Sequence, residues 1–225
     1  MSATWTVLST VGTVAVYTAA ERVYRRLRVV VLHPLLVTVL LGAAVLGPFP
    51  DLLAKYLDGT WLLQWALGPA TAALAVPSFQ SRGVLASNPA KVLLSVAAGT
   101  AASVGTVVGL GFLLGVPSVL VRGLTIKSVT APVAIALAPG LGVDPGLVSC
   151  GVVATGLFGM AVGPVLLSRL GVRRPLARGL ALGTVSHAMG TARALEQDGP
   201  EGGAGGAVAL ALVAVLLSLA VAFFG

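Results

Sequence analysis

Charge is what this sequence has least of. Only 9% of its 225 residues are charged, and only 7 are Asp or Glu. A soluble domain of this length needs a polar shell, and these residues cannot build one. There is one cysteine, Cys150, which excludes an internal disulfide. It stands between Ser149 and Gly151 in an apolar run and reads as a packed thiol. There are two histidines, His33 and His187. With one cysteine they make no recognisable metal set, so no metal and no cofactor is expected. The absence of a Gly-x-x-x-x-Gly-Lys-Ser/Thr run excludes an ATP-driven engine. Ser186 adjoins His187, but no acidic residue nearby suggests a triad and no Gly-x-Ser-x-Gly elbow is present. The chain is therefore not expected to be an enzyme. Aromatics are 5% of the residues and are not interleaved with the basic ones. Nucleic acid is thus not an expected partner, despite a net charge of +7.

Apolar residues are what it has most of. They make up 57% of the chain, and mean hydropathy is +1.01. A lipid-facing surface needs no polar shell, so the lipid bilayer is the expected surrounding. The 29 glycines suit helices that approach one another closely in a membrane. A β-barrel would need segments alternating apolar and polar, whereas Val213 to Phe224 is almost continuously apolar. The expected fold is an all-α polytopic membrane protein with about 7–8 hydrophobic segments, forming one integral membrane domain over 1–225. Candidate spans are 3–20, 29–47, 60–78, 92–116, 118–138, 146–168, 175–196 and 204–224. Helices of about 18–20 residues are about 27–30 Å long, the thickness of the hydrocarbon core. Residues 3–20 have no basic stretch before them and read as an uncleaved first span. Turn signals such as Gly47-Pro48, Asn88-Pro89, Pro139-Gly140 and Gly199-Pro200 separate the spans. Gly202–Gly206 reads as a flexible hinge before the last one.

Three connections hold ten of the 14 Lys and Arg residues: 21–28, 80–91 and 169–178. Positive charge marks the cytoplasmic side. The chain is expected in the cell inner (plasma) membrane, multi-pass, with its N-terminus outside and its C-terminus cytoplasmic. For 169–178 to be cytoplasmic, one segment between 117 and 168 must enter and leave on the same side. Residues 118–138 are the best candidate, because Pro117, Arg122, Gly123, Lys127, Ser128, Thr130 and Pro132 are too polar for a lipid-facing helix. Residues 67–74 can also be laid over 182–189, with Leu, Gly and Ala shared. Read as a repeat, this gives a first half over 28–116, a re-entrant connector over 117–145 and an inverted second half over 146–225. Chance similarity among small residues is the alternative.

Three polar constellations stand out. In Gly68–Pro77, a helix broken near Pro69 would turn a free N-terminus toward an anion, with Thr71 beside it. A merely kinked packing helix is the alternative. In Thr125–Pro132, Lys127 costs several kcal/mol at membrane depth unless paired or hydrated. Its partner is a transported anion, or Glu196 from another helix, or the interface to which it snorkels. Ser128 and Thr130 flank it. In Gly183–Glu196, Ser186, His187 and Thr191 offer polar groups within two turns, with His187 and Thr191 four apart on one face. His187 is a proton-relay candidate, against the alternative of a hydrogen-bonding core histidine. Arg193 and Glu196 read as a local pair.

The stretches GPATAALAVP at 68–77, KSVTAPVAIA at 127–136 and ARGLALGTVSHAMGTARALE at 177–196 resemble the LrgB/CidB family, and the resemblance extends over nearly the whole chain. Two departures are His33, where the family usually has Asn before a proline, and Ile126, where it usually has Pro. The resemblance implies one of two functions. The first is antiholin-like control of murein hydrolase export and autolysis, with a small LrgA-type membrane protein as partner. The second is transport of pyruvate-, glycolate- or glycerate-like carboxylates, since the chain is also similar to the LrgB-like half of the plastid glycolate/glycerate translocator. The residues favour transport of a small carboxylate anion, with a proton as candidate coupling ion. Lys127 would neutralise the carboxylate, and Ser128, Thr130, Thr71 and N–H groups near Pro69 would hydrogen-bond it. Ser186, His187 and Thr191 would hold its other end. An LrgA-type partner, or a second copy in a homodimer, would supply part of the scaffold.

Overall fold

The computed structural model describes residues 3–27, 32–73, 79 and 82–224, and within them the backbone alone of 3, 67–68, 70–73, 84–85, 87 and 224. Its helices are α1 (Ala3–Leu27), α2 (Pro34–Leu46), α3 (Pro50–Gly59), α4 (Trp61–Ala73), α5 (Arg82–Ser87), α6 (Pro89–Leu113), α7 (Ser118–Thr125), α8 (Ala131–Leu137), α9 (Pro145–Arg169) and α10 (Pro175–Phe224), with a 3-10 turn at Ala138–Leu141. No strand occurs among the described residues. The all-α membrane class therefore holds. Among the described residues, three helices are long and apolar enough to cross a membrane: α6, α9 and Pro175–Phe223. The helix over the expected first span, α1, is 25 residues long but is not one of these three. The span expected over 29–47 is the 13-residue α2, and that over 60–78 is the 13-residue α4, with 74–78 outside the described residues.

The chain forms two compact units, 1–73 and 74–225. In the first, α3 lies against α1. Gly59 meets the Trp5 carbonyl and Ser9, where a side chain would not fit. The Thr13 and Tyr56 hydroxyls are 2.6 Å apart.

In the second unit, α6 is followed by a tight turn at Gly115 and by α7, which folds back so that Val121 covers Gly111. The segment expected over 118–138 is no single crossing. It is two short helices broken at Ile126–Thr130, each about 10–12 Å long, under half the core thickness. The start of α9 runs beside α7: a side chain at Gly123 would lie 3.4 Å from Val148, and one at Gly151 would lie 2.9 Å from Leu124. Hence α9 begins at the end of the unit where α6 finishes, and 118–144 enters and leaves from that end.

The last helix is not one rod, because Ser186, His187 and Gly199 have non-helical backbones. It is three limbs: 175–185, 188–198 and 200–224. They double back on one another. Gly190 touches the Leu182 carbonyl, Gly202 approaches the Ala194 carbonyl, and Arg178 Nε bonds Asp198 at 2.9 Å. In a straight helix the first two pairs would be about 12 Å apart and the last about 30 Å. The span expected over 175–196 is thus a hairpin of two half-length limbs, and its base is at the far end of α9. There Arg178 also donates to Ser168 Oγ at 3.1 Å and to the Val172 carbonyl at 3.2 Å. The turn falls at Gly199, whose φ of 69° suits glycine, and Pro200 opens the next limb. Gly202–Gly206 is therefore not a hinge. It is helical and buried, with Gly202 and Gly206 pressed on Gly179 and Gly183. Glycine at that four-residue spacing on both limbs lets the backbones touch. Val96, Ile126, Val129, Val148, Val152, Ala209 and Val213 fill the space between the helices.

The hairpin also decides at which end of the unit the last limb finishes. Limb 200–224 starts at the end where α9 finishes and reaches the other, where Val221 packs by Gly140. Because 175–198 returns to its own side, the C-terminal limb cannot finish on the side of 169–178. With Cys150→Ser as background, Leu141→Cys and Val172→Cys are expected to label from opposite membrane faces. A C-terminal tag is expected on the face of residue 141; a tag on the face of residue 172 contradicts the fold-back.

Candidate functional site

Two broken segments enter the second unit from opposite ends, and each carries its polar residues at its tip. The first tip is anchored by Ile126 and Val129, both essentially fully buried. Pro132 suits the first turn of α8, where its missing N–H costs nothing. Between the anchors, Lys127 Nζ donates to Ser103 Oγ at 3.0 Å and to Ser128 Oγ at 3.4 Å, and the two hydroxyls are 3.3 Å apart. Ser103 lies near the middle of the 25-residue α6, so the ammonium group is at mid-depth rather than snorkelled to an interface. Lys127 and Ser103 are half-buried and Ser128 is buried. No carboxylate is within ion-pair distance of Lys127 among the described residues. Glu196 pairs with Arg193 at 2.7 Å instead, as the local reading of that pair expected. Thr130 is half-buried at the N-cap of α8, and its side chain makes no capping bond.

The second tip is Ser186-His187. The His187 backbone, at φ 44° and ψ −134°, is in a region a side chain rarely adopts and costs on the order of 1–3 kcal/mol. Its neighbours hold it there. His187 Nε2 is 3.1 Å from the Val152 carbonyl. A carbonyl only accepts, so Nε2 carries hydrogen and Nδ1 is the nitrogen left to bind or release a proton. The ring lies on Gly156, where a side chain would start 2.7 Å from Nε2. The Ser186 hydroxyl fills the space a side chain at Gly159 would need. Ser186 is fully buried, and its hydroxyl has no hydrogen-bond partner among the described residues. Both broken segments lie along α9: Gly123 and Leu124 meet it at Val148 and Gly151, and His187 meets it at Val152 and Gly156. Thr191 donates its hydrogen to the His187 carbonyl at 2.9 Å and packs on Gly206. His187 and Thr191 thus do not share a helix face, because the break at His187 turns its ring to α9 while Thr191 faces the last limb.

The fold therefore gathers Lys127 and Ser128 at one tip, with Thr130 at its edge, and Ser186, His187 and Thr191 at the other. Pro69 and Thr71 belong to the other unit. There α4 continues through Pro69 to Ala73, so the helix break expected near Pro69 does not occur at that residue. The Thr71 side chain lies outside the described residues. His33 caps α2, its Nδ1 accepting from the Leu35 N–H at 3.4 Å, a task Asn also performs. The sequence reading missed Ser103, Gly156, Gly159 and the Arg178–Asp198 pair. The Thr100-x-x-Ser103 spacing, two hydroxyls on one face of a long apolar helix, was the available signal for Ser103.

A profile of the LrgB-like family matches residues 13–225. The chain belongs to this family. It is 36% identical over 186 residues to the uncharacterized protein YxaC of Bacillus subtilis, covering 82% of this chain and 80% of that one. It is 33% identical to YwbG of the same organism, over 84% of each chain. It is 29% identical to the antiholin-like protein LrgB of Bacillus subtilis, over 85% of this chain and 82% of that one. No solved structure matches. In this LrgB-like chain the glycines of α9 are as much part of the site as its polar groups. Gly159→Ala is expected to destabilise the protein by about 1–3 kcal/mol through overpacking on Ser186. Adding Ser186→Ala removes the clashing hydroxyl and is expected to restore part of that loss. Thermal unfolding in detergent measures both.

Proposed function

We propose that this LrgB-like protein is a secondary transporter of small monocarboxylates of the pyruvate, glycolate or glycerate kind, rather than an enzyme. The observation that carries the reading is a lysine held by Ser103 and Ser128 near the middle of a long apolar helix, with no carboxylate partner among the described residues. An unpaired ammonium group there is expensive, and a bound anion lowers the cost. Lys127 neutralises the carboxylate, Ser128 and Thr130 supply hydroxyls, and the Ser186–His187 tip faces the rest of the molecule. His187 Nδ1 is the candidate proton carrier. Broken segments whose ends converge near the midplane are the usual setting of such sites. Pro69 and Thr71 carry no part of this reading. The basic residues of 82–91 and 169–178 support a cytoplasmic position for that end of the unit, within a cell inner membrane, and the run at 22–28 supports an outside N-terminus. With an odd number of crossings from 169–178 onward, the C-terminus is then outside. An LrgA-type protein is the proposed partner.

The name of the Bacillus subtilis relative, antiholin-like protein LrgB, supports a second reading: a pore or pore regulator. Uptake by reconstituted vesicles separates the two. Saturable uptake of labelled pyruvate or glycolate is expected, with Lys127→Ala reducing it about tenfold or more, since a hydrogen bond to a charged group is worth about 1.5–3 kcal/mol. Non-saturable leakage of unrelated solutes, insensitive to Lys127, would establish the pore instead. His187→Gln keeps a donor for the Val152 carbonyl but cannot carry a proton. It is expected to leave downhill uptake intact and to abolish its response to an imposed pH gradient.

A further inference from the structure

We infer that Ser103 of α6 is a substrate-binding residue, and that the Ser103–Lys127–Ser128 cluster is built to hold one carboxylate group by both of its oxygens. The inference deepens the transporter reading and rests on it for the substrate class.

The argument is a count of donors. The ammonium group of Lys127 has three N–H donors, and each serine hydroxyl has one. Two of the ammonium hydrogens are directed to Ser103 Oγ and Ser128 Oγ, at 3.0 and 3.4 Å. The serine oxygens are 3.3 Å apart, so one hydroxyl donates to the other. These bonds use three of the five hydrogens. One ammonium N–H and one hydroxyl O–H remain, on neighbouring atoms. Two adjacent donors, one of them charged, match the two acceptor oxygens of a carboxylate. Both serines accept from Lys127, and either hydroxyl can donate to the other, so one of the two always keeps its hydrogen for a ligand. Without Ser103, the ammonium group loses its shorter partner and the cluster loses one hydrogen donor.

The cluster also states what is not bound. Among the described residues no second cation joins Lys127 through these hydrogen bonds. The group held is therefore a single carboxylate. The two serines come from different elements, a continuous helix and a re-entrant tip, so the carboxylate is bound across them.

Two isosteric replacements isolate the hydroxyl: Ser103→Thr keeps it and Ser103→Val removes it at the same shape. The readout is protection against thermal unfolding in detergent by glycolate, pyruvate and acetate, with glycolamide as the uncharged control. Wild-type protein and Ser103→Thr are expected to be protected by all three acids and not by the amide. Ser103→Val is expected to need about tenfold more acid for the same protection, the equivalent of one such bond. In vesicles the loss is expected in KM, with the maximal rate retained. Equal protection of Ser103→Val and wild type, or no protection of wild type by any acid, would overturn the inference. A merely structural serine would lower the unfolding temperature without acid and leave the acid dependence unchanged, which also overturns it. Protection by acids without any saturable uptake would overturn the transporter reading and leave the carboxylate site standing.

Discussion

A helix interrupted at membrane depth must be hidden by another backbone, and most of the second unit follows from this constraint. An unsatisfied backbone group in hydrocarbon costs several kcal/mol. The break at Ser186–His187 is tolerated because α9 presents Gly156 and Gly159 to it, and a β-carbon on either would push the two apart. The same close approach brings the Val152 carbonyl within reach of the His187 ring. On the other face, Gly179 and Gly183 lie on Gly202 and Gly206, and the returning limb 188–198 touches both at Leu182–Gly190 and Thr191–Gly206. Remove the glycines and the hairpin has no place to sit. The strained His187 backbone then has nothing to hold it.

The second unit uses one arrangement twice, in opposite directions. Helix α6 crosses, and a broken segment folds back from its far end. Helix α9 crosses the other way, and a broken segment folds back from its far end. Both crossing helices are 25 residues long. Charge follows the same division. Arg82, Lys91, Arg169, Arg173 and Arg174 gather where α6 begins and α9 ends, whereas the opposite connections, 114–117 and 138–144, carry only Asp144. Opposed half-length segments are the reason polar tips can meet at mid-depth while every connection remains at a surface.

The sequence made some of this legible for definite reasons. A lysine, hydroxyls and prolines inside 118–138 are too costly for a lipid-facing helix, and that segment is indeed broken. Residues 175–196 gave no such warning. Their length and composition fit one crossing, and hydropathy cannot tell one rod from two limbs side by side. The glycine spacings at 179/183 and 202/206 were the local sign, and they read more readily as flexibility than as contact. Proline misled in the other direction: α4 passes through Pro69, since a missing N–H bends a helix more often than it ends one. Arg178 counted as a loop cation, yet it is buried against Asp198. Such a pair is invisible until the fold brings residues twenty apart together.

Hydrogen bonds divide the site unevenly, and the division bears on how it opens. Lys127 is tied to α6 through Ser103, and His187 is tied to α9 through Val152. The hairpin of His187 is fastened to α9 a second time at its base, by Arg178. Each tip is therefore bound to the crossing helix that precedes it. No hydrogen bond joins the two tips among the described residues. A movement that parts α9 and its hairpin from α6 and its tip breaks none of these bonds, whereas any other division of the site breaks at least one at a cost of about 1 kcal/mol or more. The two tips carry charge and hydroxyls to this seam, and what holds it shut is the buried apolar cluster that includes Ile126, Val129, Val148 and Val152.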